Sequence, residues 1–338
     1  MACQTGLTCL ACAMIRARPR SAQMSSKRRM TDHDKIFESD DGFLFLTGGD
    51  HDVGAYLTGR KRPDAASVQI FFTNMHERAR YCRDAGIDFS MWVFPDKLHA
   101  LRGKLRSLGD FGSLYLSQYQ TSPHWSAAAP VVYPLAPIDG QGACFLRTDT
   151  HYSDTGVIAI THAILQRLDP AAADVYRAGA LAALTEGKPA AGDLGRKFDP
   201  PRKERLTVLP ALKPVTIRTN GLQRNNGVLS LVDSPEAETD QTLMIFGDSF
   251  FRQLLPQLAW RFRRIVFCRS AFFHAELVHA VNPQVIMGGA AERYLAACQP
   301  DASRPHFFAI PLIGNRKMQP QDGFAELFQT FFDQSKLI

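Results

Sequence analysis

A mostly parallel α/β sheet with helices on both faces is the architecture that this 338-residue sequence predicts. Three observations point to it. The final third alternates short apolar runs with helical stretches, the rhythm of right-handed βαβ crossovers. Phe89-Ser-Met-Trp-Val-Phe-Pro95 is almost continuously apolar, as a strand covered on both faces is, and lacks the alternation of a half-exposed sheet. The composition, 45% hydrophobic and 21% charged, is that of an ordinary globular chain able to bury a core without staples. The length allows two domains, but one large α/β unit over 39–338 also fits. We expect that unit to follow a disordered basic tail over 1–38.

Ordered structure is expected to begin near Asp41-Gly-Phe-Leu-Phe-Leu46, a strand-length run bounded by turn residues. Residues 67–84 place Val68, Phe71, Phe72, Met75 and Tyr81 at helical spacing, and Ala85-Gly86 closes them. The strand 89–95 follows. A loop-rich stretch runs to about 128, and Pro130-Val-Val-Tyr-Pro134 suggests another short strand. Residues 154–168 read as a helix with Val157, Ile160, Ile164 and Leu168 on one face and Ser153 or Asp154 as cap. Residues 186–240, rich in Gly, Pro, Lys, Arg and Asn, read as an irregular insertion. Strands are then expected at 242–246, 264–268 and 283–287, and helices at 249–261, 273–281 and 290–298.

The net charge of +6 suggests a nucleic-acid partner until it is located. Arg16, Arg18, Arg20, Lys27, Arg28 and Arg29 carry all of it, and the remaining 308 residues balance to zero. A body without net positive charge lacks the footprint that phosphate-backbone binding needs, so no nucleic acid is expected. No apolar run reaches the length of a membrane-spanning helix. Leu7 to Ile15 reads either as a short export signal with its charges on the wrong side or, with Met24 or Met30 as the start, as upstream sequence. The seven cysteines are scattered, and Cys9-Leu-Ala-Cys12 has no second ligand pair, so neither a disulfide framework nor zinc is indicated.

Two segments carry candidate chemistry. Gly247-Asp248-Ser249 lies where the strand 242–246 passes into a helix, at the carboxyl end of a strand, where open α/β sheets place their sites. A serine there would meet free backbone N–H groups and the positive end of the helix dipole, and the glycine permits a tight turn. The other explanation is a helix cap on Asp248 or Ser249. Asp149-Thr-His-Tyr-Ser153 precedes the helix 154–168, and residues two apart in an extended loop face the same way. Asp149 and His151 could therefore address one site, as a base and its orienting partner do for a serine.

With these residues on the page the sequence resembles a known family. Gly247-Asp248-Ser249 after an apolar strand is similar to the nucleophile block of the SGNH (GDSL-like) hydrolases. Asp149-Thr-His-Tyr152 resembles the Asp-Thr-His-Trp signature of one branch, the SGNH-like domains of alginate O-acetylation proteins and related polysaccharide O-acetyltransferases. The Asp-His pair precedes the serine in that branch, as here. Asp41-Gly-Phe-Leu-Phe45, Phe94-Pro-Asp-Lys97, Gly192-Asp-Leu194 and Glu292-Arg293 fall in the branch's order, so the likeness spans roughly residues 40–300. Tyr152 departs from the usual tryptophan, and no residue answers clearly to the Gly and Asn of the ordinary oxyanion hole. Asn220, Asn225 and Asn226 lie in the irregular insertion.

The resemblance implies an SGNH-hydrolase-like, flavodoxin-like three-layer fold. It makes Ser249 the nucleophile, His151 its base, Asp149 the orienting acid, and Gly247 and Asp248 parts of the oxyanion turn. It implies no cofactor and no metal. The implied partners are a polysaccharide acceptor and an acetyl donor supplied by a membrane acetyl-transfer protein, and the implied place is the periplasm or cell envelope. An O-acetyltransferase, a carbohydrate acetylesterase and a non-catalytic polysaccharide-binding module all remain open. Lys97 and His99 are expected at a solvated helix start, with a place lining the cleft as the alternative. Glu292-Arg293 is expected in an ion pair fixing the last helix, and the Phe-rich C-terminus is expected in the core.

Overall fold

The computed structural model describes residues 35–49, 51–223 and 226–337. Most of the expected basic tail lies outside the described residues, and Ile36–Glu38 forms β1, paired antiparallel with β2 (Leu44–Leu46) away from the main sheet. The short α1 (Val53–Leu57) leads to α2 (Ala65–Asp84), which starts where the Asp64 carboxylate accepts the Ala66 N–H and ends before Gly86, at φ 71°. Then come β3 (Asp88–Phe94), the one-turn α3 (Lys97–Ala100), β4 (Val131–Val132) and α4 (Asp154–Leu168). The Ser153 hydroxyl, not Asp154, caps α4 by accepting the Gly156 N–H.

The segment read as an irregular insertion is largely regular. After α5 (Pro170–Ala183), β5 (Thr185–Ala190) and β6 (Glu204–Val208) form an antiparallel hairpin. Next, β7 (Thr216–Thr219) and β8 (Leu229–Asp233) join the main sheet. Their Gly, Pro and charged residues hide the pattern because β5 and β6 are mostly solvent-facing, so few apolar positions mark a period. The chain continues through β9 (Thr239–Gly247), α6 (Ser249–Leu258), β10 (Phe262–Arg269), α7 (Ala275–Val281) and β11 (Val285–Ala291). The helix expected at 290–298 is instead a 3₁₀ turn over Glu292–Ala297, since β11 runs on through Gly288, Gly289 and Ala290. Two C-terminal helices, α8 (Ala309–Ile313) and α9 (Phe324–Phe331), complete the fold.

The main sheet has the order β4-β3-β11-β9-β10-β8-β7. The five strands β4, β3, β11, β9 and β10 are parallel, and only β8 runs against its neighbours. Leu243 to Phe246 of β9 and Ile265 to Cys268 of β10 are buried without a break, the mark of strands covered on both faces. One face lies under α6, where Gly247 and Gly289 leave room for the Phe251 ring: a Cβ on Gly289 would fall 2.1 Å from it. On the other face Phe246 meets Phe273, which also packs on Tyr81 of α2. Phe307, Phe324, Phe331 and Phe332 are buried as expected. Because β3, β9, β10 and β11 are parallel, their carboxyl ends, and the residues that follow each of them, meet along one edge.

Candidate active site

Ser249 is the first residue of α6. The cap is Asp248, whose Oδ1 accepts the Phe250 N–H at 2.9 Å and whose Oδ2 accepts the Ala291 N–H at 2.7 Å. One carboxylate thus starts the helix and pins the end of β9 to the end of β11. Capping explains Asp248 and leaves the Ser249 hydroxyl for other work. Its Oγ lies 2.9 Å from His151 Nε2, and His151 Nδ1 lies 2.7 Å from Asp149 Oδ1. The structure therefore brings together all three residues that the motifs single out, His151 and Ser249 being 98 positions apart in the chain. Tyr152 is fully buried and packs on Phe94, Phe145 and Phe250, and the Phe250 ring in turn lies 5.3 Å from the imidazole of His151.

Asp149 is held from several sides. Its Oδ1 also accepts the His151 N–H at 3.0 Å, and its Oδ2 accepts the Asp193 N–H at 2.8 Å. Burial by itself would raise its pKa, but the His151 contact and the Asp193 and His151 amides overcome burial and keep the group below the usual carboxylate range. An ionised Asp149 places the imidazole proton on Nδ1 and leaves Nε2 to accept from the serine, the tautomer a base needs.

Asp193, noted in the Gly192-Asp-Leu194 segment but given no role there, is a further partner. Its carboxylate accepts the Thr150 N–H at 2.8 Å and the Thr150 hydroxyl at 2.6 Å, while its own amide holds Asp149. Burial, then the Asp149 charge, pushes its pKa up. Gly192 lets this loop approach, since a Cβ there would sit 2.5 Å from Asp149 Cβ. Asp149, His151 and Asp193 set three ligand-type atoms within 4.8 Å of one another. Protein donors already engage both carboxylates, so the cluster is accounted for as a hydrogen-bond network.

Lys97 is not solvated. It is 2% exposed, and its Nζ reaches the carbonyls of Leu44, Leu146, Arg147 and Asp149 at 2.9, 2.6, 3.2 and 2.9 Å. Burial pushes its pKa down to about 7, against the pull of Glu204 and Asp149. From the end of β3 the ammonium fixes the loop bearing Asp149 and His151. Glu204 of β6 grips the same loop from outside, accepting the Arg147 and Thr148 amides. His99 is likewise buried, its Nδ1 2.9 Å from the Phe111 carbonyl, away from the triad.

Glu292 and Arg293 part company. Arg293 Nε lies 2.8 Å from Asp96 Oδ2, both side chains buried, tying the end of β11 to the end of β3. Among the described residues Glu292 makes no ion pair; it accepts the Asp96 and Tyr115 amides and the Ser113 and Tyr133 hydroxyls. Burial raises its pKa to about 7, more than those donors lower it. An acid whose folded-state pKa is raised stabilises the fold fully below its unfolded value of 4.5, and that contribution is lost as pH rises through 7. The wild type's advantage in urea unfolding over Glu292→Gln should therefore shrink by on the order of 3 kcal/mol between pH 4.5 and 8. A difference flat across that range would refute the assignment.

Asn220 is engaged away from the nucleophile. Asn220 closes the β7–β8 turn, its Nδ2 donating to the Gly227 carbonyl at 2.9 Å, and Asn225 lies outside the described residues. Asn226 borders a cavity of about 320 Å³ at the ends of β9, β10 and β11, with Gly247, Asp248, Arg269 and Arg293 also in its wall.

No protein-family model matches the sequence, and no curated protein does. Solved structures match its fold. PatB1 of Bacillus cereus, determined with a sulfonyl adduct, superposes with a TM-score of 0.55 at 12% identity, covering 78% of this chain and 95% of that one. A DHHW family protein from Eubacterium siraeum gives 0.50 at 10% identity, covering 70% and 87%. The O-acetyltransferase domain of Pseudomonas putida AlgJ gives 0.47 at 15% identity, covering 83% and 99%. At these identities the likeness is one of architecture, and at that level the chain has the SGNH-like α/β fold that its motifs led us to expect.

Proposed function

We propose that the protein is a serine-dependent polysaccharide O-acetyltransferase working through an acetyl-serine intermediate. The observation that carries this reading is the continuous Ser249–His151–Asp149 hydrogen-bond chain at the amino end of α6. The resemblance of the Asp149-Thr-His-Tyr152 and Gly247-Asp-Ser249 motifs supports the acetyl-transfer branch.

Ser249 Oγ attacks the donor's carbonyl carbon as its proton passes to His151 Nε2. The carbonyl oxygen becomes an oxyanion beside the Ser249 N–H, one of the unpaired donors of the first helical turn. His151 then gives the proton to the departing oxygen, and the C–O bond to the donor breaks. A sugar hydroxyl next loses its proton to His151 and attacks the acetyl carbon, releasing Ser249, which regains the proton. Asp149 stays ionised throughout and stabilises the imidazolium.

The test is incubation with p-nitrophenyl acetate and an O-deacetylated acidic oligosaccharide, followed by mass mapping of protein and sugar. Acetyl on Ser249 and on the sugar is the expected result. Acetyl-Ser249 that yields only free acetate would make the protein an esterase. Acetyl on neither would leave a non-catalytic binding module.

A further inference from the structure

The cavity of about 320 Å³ beside the nucleophile has a role in that mechanism. Gly247 and Asp248, directly before Ser249, form part of its wall, and no residue of the Asp149–His151 loop or of Gly192–Asp193 does. The end of β9 thus borders the cavity, while the side chains of Ser249 and His151 lie outside its wall. His151 must reach the leaving oxygen and later the attacking hydroxyl, so both alcohols bind on its side. The substituent on the acyl carbon is left to the other side, where the cavity lies. For acetyl that substituent is one methyl, in a space that would hold about ten waters at roughly 30 Å³ each.

The lining says what would fill it. Gly289, Ala290, Ala296 and Ala297 give small apolar walls. Among the charged residues, Lys61, Arg269 and Arg293 face Asp248 alone. Arg293 is matched by Asp96, Lys61 lies 3.4 Å from Asp52, and Asp248, its oxygens taken by backbone amides, faces Arg269 with its charge. Arg269 is 8% exposed, and its Nη1 is buried without a hydrogen-bond partner among the described residues. A buried guanidinium nitrogen left unpaired costs free energy that an acidic ligand would recover. Resting on the acyl-Ser249 reading, we propose that this cavity is an acyl pocket that admits, besides acetyl, a dicarboxylic acyl group. The chain lies along Gly289, Ala290 and Ala297, and the far carboxylate lies on Arg269.

The test compares p-nitrophenyl acetate, p-nitrophenyl hexanoate and the p-nitrophenyl half-ester of adipic acid, whose acyl chain matches hexanoate in length, each corrected by a Ser249→Ala blank. The half-ester should exceed hexanoate in kcat/KM by about tenfold or more, and Arg269→Gln should bring that ratio towards one. Ala297→Leu, at an exposed position, should lower both long esters relative to acetate by about tenfold; it decides the size argument should Arg269→Gln fail to fold. Hexanoate equal to or better than the half-ester, or a ratio unchanged in Arg269→Gln, would overturn the carboxylate assignment. Ser249-dependent turnover of acetate alone would overturn the pocket while leaving the nucleophile standing. No Ser249-dependent turnover of any ester would remove the acyl-enzyme reading and this inference with it.

Discussion

Ser249→Ala is expected to lower acyl transfer to the oligosaccharide by at least roughly 10³-fold while leaving the unfolding midpoint almost unchanged. The two halves of that expectation have separate causes. Catalysis collapses because the Ser249 Oγ is the atom on which the acyl group rests between donor and acceptor; without it His151 can at best activate water or the acceptor directly. Stability survives because the helix does not depend on this hydroxyl. Asp248 supplies the cap and the link to Ala291, and alanine suits the first helical position. The loss removes one contact to a partly exposed imidazole, a surface-scale change within about 0.5 kcal/mol. Initial rates and urea midpoints on the same preparations provide the check. Transfer within tenfold of wild type would sink Ser249 as nucleophile, and a collapse of both quantities would mean that the residue is structural.

Asp149→Asn should reduce kcat by roughly 10³–10⁴-fold with little change in KM. The carboxylate accepts on both oxygens: His151 Nδ1–H and the His151 amide on Oδ1, the Asp193 amide on Oδ2. An amide side chain cannot serve them all. With its NH₂ towards Asp193 it sets donor against donor. Flipped, it sets NH₂ against His151, and the imidazole answers by carrying its proton on Nε2, where it faces Ser249 as a donor and cannot act as base. Substrate contacts away from the imidazole are untouched, so binding holds while the proton transfer fails. Steady-state kinetics with the p-nitrophenyl ester separates the two parameters. A kcat within tenfold of wild type would show that Asp149 does not set the tautomer.

Much of this site was legible from local signals. Gly247-Asp-Ser249 announces a strand-to-helix junction, and Asp149 and His151, two residues apart before a capped helix, announce a shared direction. The strands and helices that carry them were legible too, because fully buried parallel strands read as unbroken apolar runs. The misreadings have separate causes. β5 to β7 carry few apolar positions in sequence order, since β5 and β6 face solvent and β7 is a short edge strand. The helix expected at 290–298 fails because Gly288 and Gly289 extend β11 against the rings of neighbouring layers.

What the sequence by itself determined is the chemistry available, a serine, a histidine and an aspartate at element ends, together with the alternation that makes the sheet parallel. What only the tertiary structure decided is which buried groups enforce that chemistry. Lys97 meets carbonyls 49 to 53 residues away, Asp193 meets Thr150 across 43 residues, and Glu292 meets the Asp96 amide across 196. A charged side chain read in sequence looks solvated by default. Its burial depends on whether distant backbone groups converge on it, and a parallel sheet, by bringing the ends of β3, β9, β10 and β11 to one edge, creates that convergence without leaving a local pattern.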